Sequence, residues 1–104
     1  MDRETSLIAR QFARTVRRHM DVQRLILFGS RARGDNFITS DFDFVVVSES
    51  FSGVRFTERA AMLYRFWHNR HDLEALCYTP SEWRRLRGKR GLLLNARRDG
   101  VRPT

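Results

Sequence analysis

The sequence predicts a small domain of the α+β (mixed α/β) class, a short mixed sheet flanked by helices. Three observations predict it. Ile8, Phe12, Val16 and Met20 recur every four positions among charged neighbours; three short apolar runs, 22–28, 41–47 and 73–78, read as strands; and a segment of helical period, 55–67, separates the second run from the third.

The first helix is expected from about Arg3 to Met20, with one apolar stripe that needs a surface to lie on. Val22 to Phe28 is a strand stopped by Gly29-Ser30, and Asp41 to Val47 is a second strand, β-branched and aromatic. Between them lies a loop rich in Gly, Arg and Asn. Phe56, Ala60, Leu63, Tyr64 and Trp67 fall at helical spacing, so a single helix over roughly Arg55 to Trp67 should bury those five side chains. Leu73 to Tyr78 is a third strand. Thr79-Pro80-Ser81-Glu82 then combines a capping box with proline at the first helical position, which starts a helix. Gly88 and Gly91 break the segment that follows, so a short helix, a break and a further turn or two ending near Gly100 are expected.

Composition narrows the function classes. With 104 residues, 41% hydrophobic and 31% charged, the chain suits one compact domain, 1–104, and is too apolar for disorder. No apolar stretch approaches a membrane span and Met1-Asp2-Arg3-Glu4 is unlike a signal peptide, so the expectation is a cytoplasmic protein. The one cysteine, Cys77, reads as a small buried hydrophobe. The net charge is +8, and the segment from Arg84 to Thr104 holds eight bases against one acid, Asp99. That concentration suits an anionic partner such as RNA or an acidic protein face, or else is a solvated helix face.

The chemistry-bearing segment runs from Leu27 to Val45. Asp41 and Asp43 stand two apart at the start of a strand, so their carboxylates project from one face and can share a divalent cation. Two acids in an otherwise apolar run repel each other and lose hydration, and a cation is the simplest compensation. Gly29-Ser30 ends a strand and is followed by Arg31 and Arg33, which supplies close backbone approach, free N–H groups, a hydroxyl and guanidinium groups, the parts of a phosphate site. Each half alone is common, the first as a strand entrance and the second as a turn; together at this spacing they are specific.

Gly29-Ser30, Gly34 and Ser40-Asp41-Phe42-Asp43 followed by Val45 to Val47 resemble the signature of the minimal nucleotidyltransferases of the DNA polymerase beta superfamily. The resemblance extends through Glu58-Arg59, Leu63-Tyr64 and Trp67 to the segment from Glu74 to Glu82. It implies a nucleotidyltransferase fold, with Gly29 and Ser30 on the β and γ phosphates of a nucleoside triphosphate and Asp41 and Asp43 binding two Mg²⁺ ions. A third acid is implied on the neighbouring strand. Asp72 and Glu74 share a strand face, and Glu74 is taken because family members often carry the acid four residues before the Tyr-Thr-Pro turn, here Tyr78-Thr79-Pro80. Glu74 would ligate metal or take the acceptor's proton, and Arg31 or Arg33 would offset charge on the leaving pyrophosphate. Ser40 should cap the strand entrance through backbone, and Asp35 should be a turn residue. His19, His68 and His71 lack zinc spacing and read as surface or interface residues.

The resemblance further implies transfer of a nucleoside monophosphate, AMP from ATP in the first instance, to a hydroxyl of a partner protein. The acceptor site would be completed by a second copy or by another protein. Proteins of this kind are often paired with a helical HEPN ribonuclease toxin, which implies an antitoxin-like role. The alternative is a non-catalytic module that binds a partner or RNA through Arg84 to Arg102.

Overall fold

The computed structural model describes residues 1–86 and 100–103. Its first helix, α1, runs Arg3–His19. Asp2 caps it by accepting the Thr5 N–H at 2.7 Å, and Arg17 and Arg18 place positive charge on its last turn, at the negative end of the helix dipole. Thr5, Ala9, Phe12, Ala13 and Val16 form the buried stripe, repeating at three and four residues as one helix face must.

The strands are β1 (Arg24–Phe28), β2 (Phe42–Val47) and β3 (Leu73–Tyr78), in the order β1-β2-β3. β1 is antiparallel to β2, and β2 is parallel to β3, so the sheet is mixed. A single helical turn, α2 (Ser30–Arg33), interrupts the predicted loop between β1 and β2. The parallel pair needs a crossover, which is supplied by a 3₁₀ turn at Glu49–Phe51 and two short turns, α3 (Phe56–Arg59) and α4 (Ala61–Tyr64). After β3 the chain enters α5 (Pro80–Leu86) through the predicted capping box: the Glu82 N–H donates to Thr79 Oγ1 at 3.3 Å, and the Thr79 N–H donates to Glu82 Oε1 at 2.8 Å. Val101 exchanges two backbone hydrogen bonds of 2.8 Å with Leu27, against the outer edge of β1.

The period-two alternation of β2 divides the core. Phe42, Phe44 and Val46 face α1 and pack with Leu25, Leu27 and Cys77, with Phe12 of α1 against Phe44 at 5.0 Å. Val45 and Val47 face the other side with Ile26, Phe28 and Tyr78, under Trp83 of α5. Cys77 is buried as expected, and burial pushes its thiol up to about 12 despite the opposing charge of Arg59.

The single helix expected over 55–67 is not formed. The segment breaks into α3 and α4 at Ala60, and of its five predicted core residues only Leu63 is fully buried; Phe56 and Tyr64 are about half exposed. The physical reason is Arg59. Its guanidinium turns inward, donates to the carbonyls of Val54 and Cys77 at 2.9 and 3.2 Å, and grips Glu82 with bonds of 2.5 and 3.2 Å. The buried positions are therefore Arg59, Leu63 and Phe66, a rotated stripe. The expected break at Gly88 and Gly91, the turns after it and most of the basic Arg84 to Arg102 segment lie outside the described residues. Among the described residues no helix is long and apolar enough to cross a membrane.

Candidate active site

At one end of the sheet, on the face away from α1, the apolar alternation gives way to acids. Asp43 lies in register between Phe28 of β1 and Glu74 of β3. Asp41 precedes β2 and Asp72 precedes β3, each two residues before its neighbour and so on the same side. Asp43 is half-buried, while Asp41, Asp72 and Glu74 are exposed. Burial pushes the Asp43 carboxyl up to about 6, a hydrogen bond and the charge of Glu74 push the same way, and Asp41 adds to them against a weaker pull from Arg33. Glu74 is thus the β3 acid that reaches Asp43.

Gly29 holds the next strand end open. It takes φ +77°, a conformation L side chains rarely adopt, and a Cβ there would collide with an Asp43 carboxylate oxygen and lie 3.3 Å from the carboxyl carbon. A side chain at this position would displace the central acid. Ser30 opens α2, and the Gly29 carbonyl accepts from both Ala32 and Arg33 at 3.1 Å, so the turn folds back over the strand end. Among the described residues the Ser30 hydroxyl has no hydrogen-bond partner.

The two arginines of α2 separate. Arg31 is 1% exposed and does not face the acids or the solvent. It donates to the carbonyls of Ser40 and Ile38 at 3.1 Å each and to Thr5 Oγ1 at 2.8 Å, meets His71 Nδ1 at 3.3 Å, and stacks 4.3 Å above the Phe42 ring. Its expected role on pyrophosphate is therefore replaced by a structural one, tying the turn that carries Asp41 to α1 and to the approach to β3. Arg33 remains exposed, paired with Asp35 at 3.1 Å. Two residues apart on the turn of α2 places the two side chains on roughly opposite faces, a signal that the expected loop did not offer.

His71 also departs from expectation: it is buried. Arg31 can only donate, so Nδ1 accepts, and Nε2 then carries the proton given to Glu4 Oε1 at 2.8 Å. His19 and His68 are exposed, as expected. Ser40 accepts the Phe37 N–H through Oγ at 2.9 Å, bonding backbone as expected, and Asp35 follows the left-handed Gly34 in the turn.

Among the described residues no three His, Cys, Asp or Glu side chains form a ready-made metal cage. The donor set nevertheless fits a hard divalent cation. It is all carboxylate oxygen, and Asp43 is held against its preference to ionise by burial and two neighbouring acids, a strain that a cation relieves.

The family model described as nucleotidyltransferase domain matches residues 9–90. None of the curated proteins searched matches significantly. Among solved structures, the chain is similar to a candidate nucleotidyltransferase from Sulfolobus solfataricus, with 24% identity over 95% of this chain and 78% of that one and a TM-score of 0.66. It is also similar to BolA1 from Arabidopsis thaliana, with 19% identity, 71% and 93% coverage and a TM-score of 0.58. The BolA domain of SufE1 from the same plant gives 19% identity, 68% and 90% coverage and a TM-score of 0.53. At these identities the structural likenesses speak to the fold alone.

Proposed function

The chain belongs to the nucleotidyltransferase domain family, and on that premise we propose that it transfers a nucleoside monophosphate, AMP from ATP, to a hydroxyl of a partner protein. In this reading residues 1–104 act as one catalytic domain in the cytoplasm, with a HEPN-type protein as the partner and an antitoxin-like role. The observation that carries it is the crowding of Asp43 with Glu74 and Asp41 beside the open strand end at Gly29 and Ser30.

Asp41 and Asp43, with Glu74, would hold Mg²⁺. When bound, that cation supplies charge neutralisation and polarisation at the phosphate under attack. Gly29 lets the backbone approach the triphosphate without a side chain in the way, and the Ser30 hydroxyl donates to its β and γ oxygens. Glu74, exposed and next to Asp43, accepts the proton of the acceptor hydroxyl. The acceptor oxygen bonds to the α phosphorus, the bond to the bridging oxygen breaks, and pyrophosphate leaves with its added charge facing Arg33.

The test is transfer of label from [α-³²P]ATP to a co-purified HEPN-type partner with Mg²⁺ present, beside calorimetric titration with ATP and GTP. Asp41→Asn and Asp43→Asn should each abolish labelling and metal-dependent ATP binding. Labelling that survives both substitutions would sink the reading.

A further inference from the structure

On the side of the sheet opposite the acids, a cavity of about 390 Å³ opens between the outer flank of α1 and the turn at 66–69. Its volume is within the range of small-ligand sites. The polar groups around it are the Arg14 and Arg18 guanidiniums, the His68 imidazole and the side chains of Gln11, Thr15 and Asn69. Among the described residues, Arg14 and Arg18, one turn apart on α1, and His68 across the opening make no ion pair, and no carboxylate lines the cavity. Asn69 is fixed the same way round: its Oδ1 accepts the His71 N–H at 2.9 Å, which leaves the amide nitrogen to donate. The Thr15 hydroxyl already donates to the Gln11 carbonyl at 2.9 Å. The inner wall is aromatic. Phe12 and Trp67 meet edge to face at 5.1 Å, and Trp67 is locked by its Nε1–H donating to the His71 carbonyl at 2.7 Å.

Two guanidinium groups, an imidazole and an amide N–H₂ around one opening recognise an oxyanion with several acceptor oxygens, which describes phosphate better than a single carboxylate. A rigid aromatic wall beside such donors suits the base of the same nucleotide. α1 also bears Arg10, Arg14 and Arg18 at four-residue spacing with its only acid, Glu4, in the first turn, a same-sign row that an anionic ligand would offset.

We propose that this cavity is a second, non-catalytic site for nucleotide phosphates, filled either by one residue of a single-stranded RNA or by a free nucleotide. It uses none of the residues assigned to nucleotidyl transfer and does not rest on that activity. The described residues that line it, between Ile8 and Asn69, are not those of the Arg84 to Arg102 segment.

The experiment measures fluorescence anisotropy of a labelled twelve-nucleotide oligouridylate with the full chain in EDTA, over a range of salt concentrations. Arg14→Ala/Arg18→Ala should weaken binding about tenfold or more and lower the salt slope by about 0.7, the value for one lost phosphate contact on a single strand. Arg10→Ala, on the same helix but outside the cavity, should change affinity less than threefold, and Arg14→Lys/Arg18→Lys should keep most of the salt slope. Asp41→Asn/Asp43→Asn should bind like wild type. Competition by UMP at equal nucleotide concentration assigns the site to free nucleotides, and its failure to compete assigns it to a strand. Either result supports the proposal. Unchanged binding by Arg14→Ala/Arg18→Ala in a folded variant overturns it and places any RNA binding elsewhere. Competition by an octaglutamate peptide as strong as that by RNA also overturns it, since the surface would then read carboxylates of a protein partner.

Discussion

Two carboxylates on the same side of the molecule are treated in opposite ways. Glu82, at the cap of α5, receives two bonds from Arg59 and one from the Thr79 N–H, and the Arg59 hydrogen bonds hold its carboxyl down at about 2. Asp43, at the end of β2, receives burial and two further acids, and is held up at about 6. The cap spends its acid on structure, with every charge answered inside the chain. The corner leaves its acids crowded against one another with only a weaker pull from Arg33, as the proposed cation site requires.

The largest effect that would break this contrast is on chemistry. Asp43→Asn should lower nucleotidyl transfer by at least about 10³-fold while leaving the melting temperature in EDTA unchanged or raised, since it removes a repelled charge. A variant that loses stability as well as activity would make the corner structural like the cap. The cap should show the reverse. Arg59→Met should cost about 2 to 3 kcal/mol in denaturant unfolding, less than for a fully buried pair because Glu82 keeps some contact with water, with transfer per folded molecule retained.

Gly29→Ala sits between these extremes. The positive φ and the collision with Asp43 should together cost about 1 to 3 kcal/mol and raise the Mg²⁺ concentration needed for half-maximal ATP binding. Ordinary Mg²⁺ dependence in that variant would show that the acid can move without consequence.

The smallest effect is in pH. Asp43 has a folded value of about 6 against an ordinary 3.8, so it contributes stability below about pH 4 that is lost as pH rises through 6. Glu82, at about 2 against 4.5, contributes stability above 4.5 that is lost as pH falls toward 2. In EDTA the corner therefore favours a higher melting temperature at pH 5 than at pH 7.5. With Mg²⁺ the increment should be larger at pH 7.5, where Asp43 is ionised. Equal increments at both values would mean that the cation does not bind through Asp43.

The same contrast explains how much could be read without coordinates. α1, the three strands and the capping box of α5 were legible because each depends on spacing within a few residues: period four, period two, or Thr79 with Glu82 three positions on. The pairs Gly29-Ser30 and Asp41-Asp43 were each legible for the same reason, and the fold sets Gly29 against Asp43. Arg31, Arg59 and His71 were not. Their more distant partners, Thr5 and Ser40, Glu82 and Cys77, and Glu4, lie between 9 and 67 positions away, and nothing local distinguishes a buried arginine from a solvated one. The error over 55–67 has the same origin, since the apolar stripe was plausible until Arg59 claimed the inner face.

The sequence by itself therefore determined the class of fold, the alternating strands and the residue types gathered near one strand end, because side-chain direction follows from local backbone period. Tertiary structure decided which of those charges are answered. Parallel pairing of β2 with β3 set Glu74 rather than Asp72 beside Asp43, and packing turned Arg31 inward while leaving Arg33 at the surface. Charge, burial and distance are properties of neighbours in space, and only the folded chain chooses those neighbours.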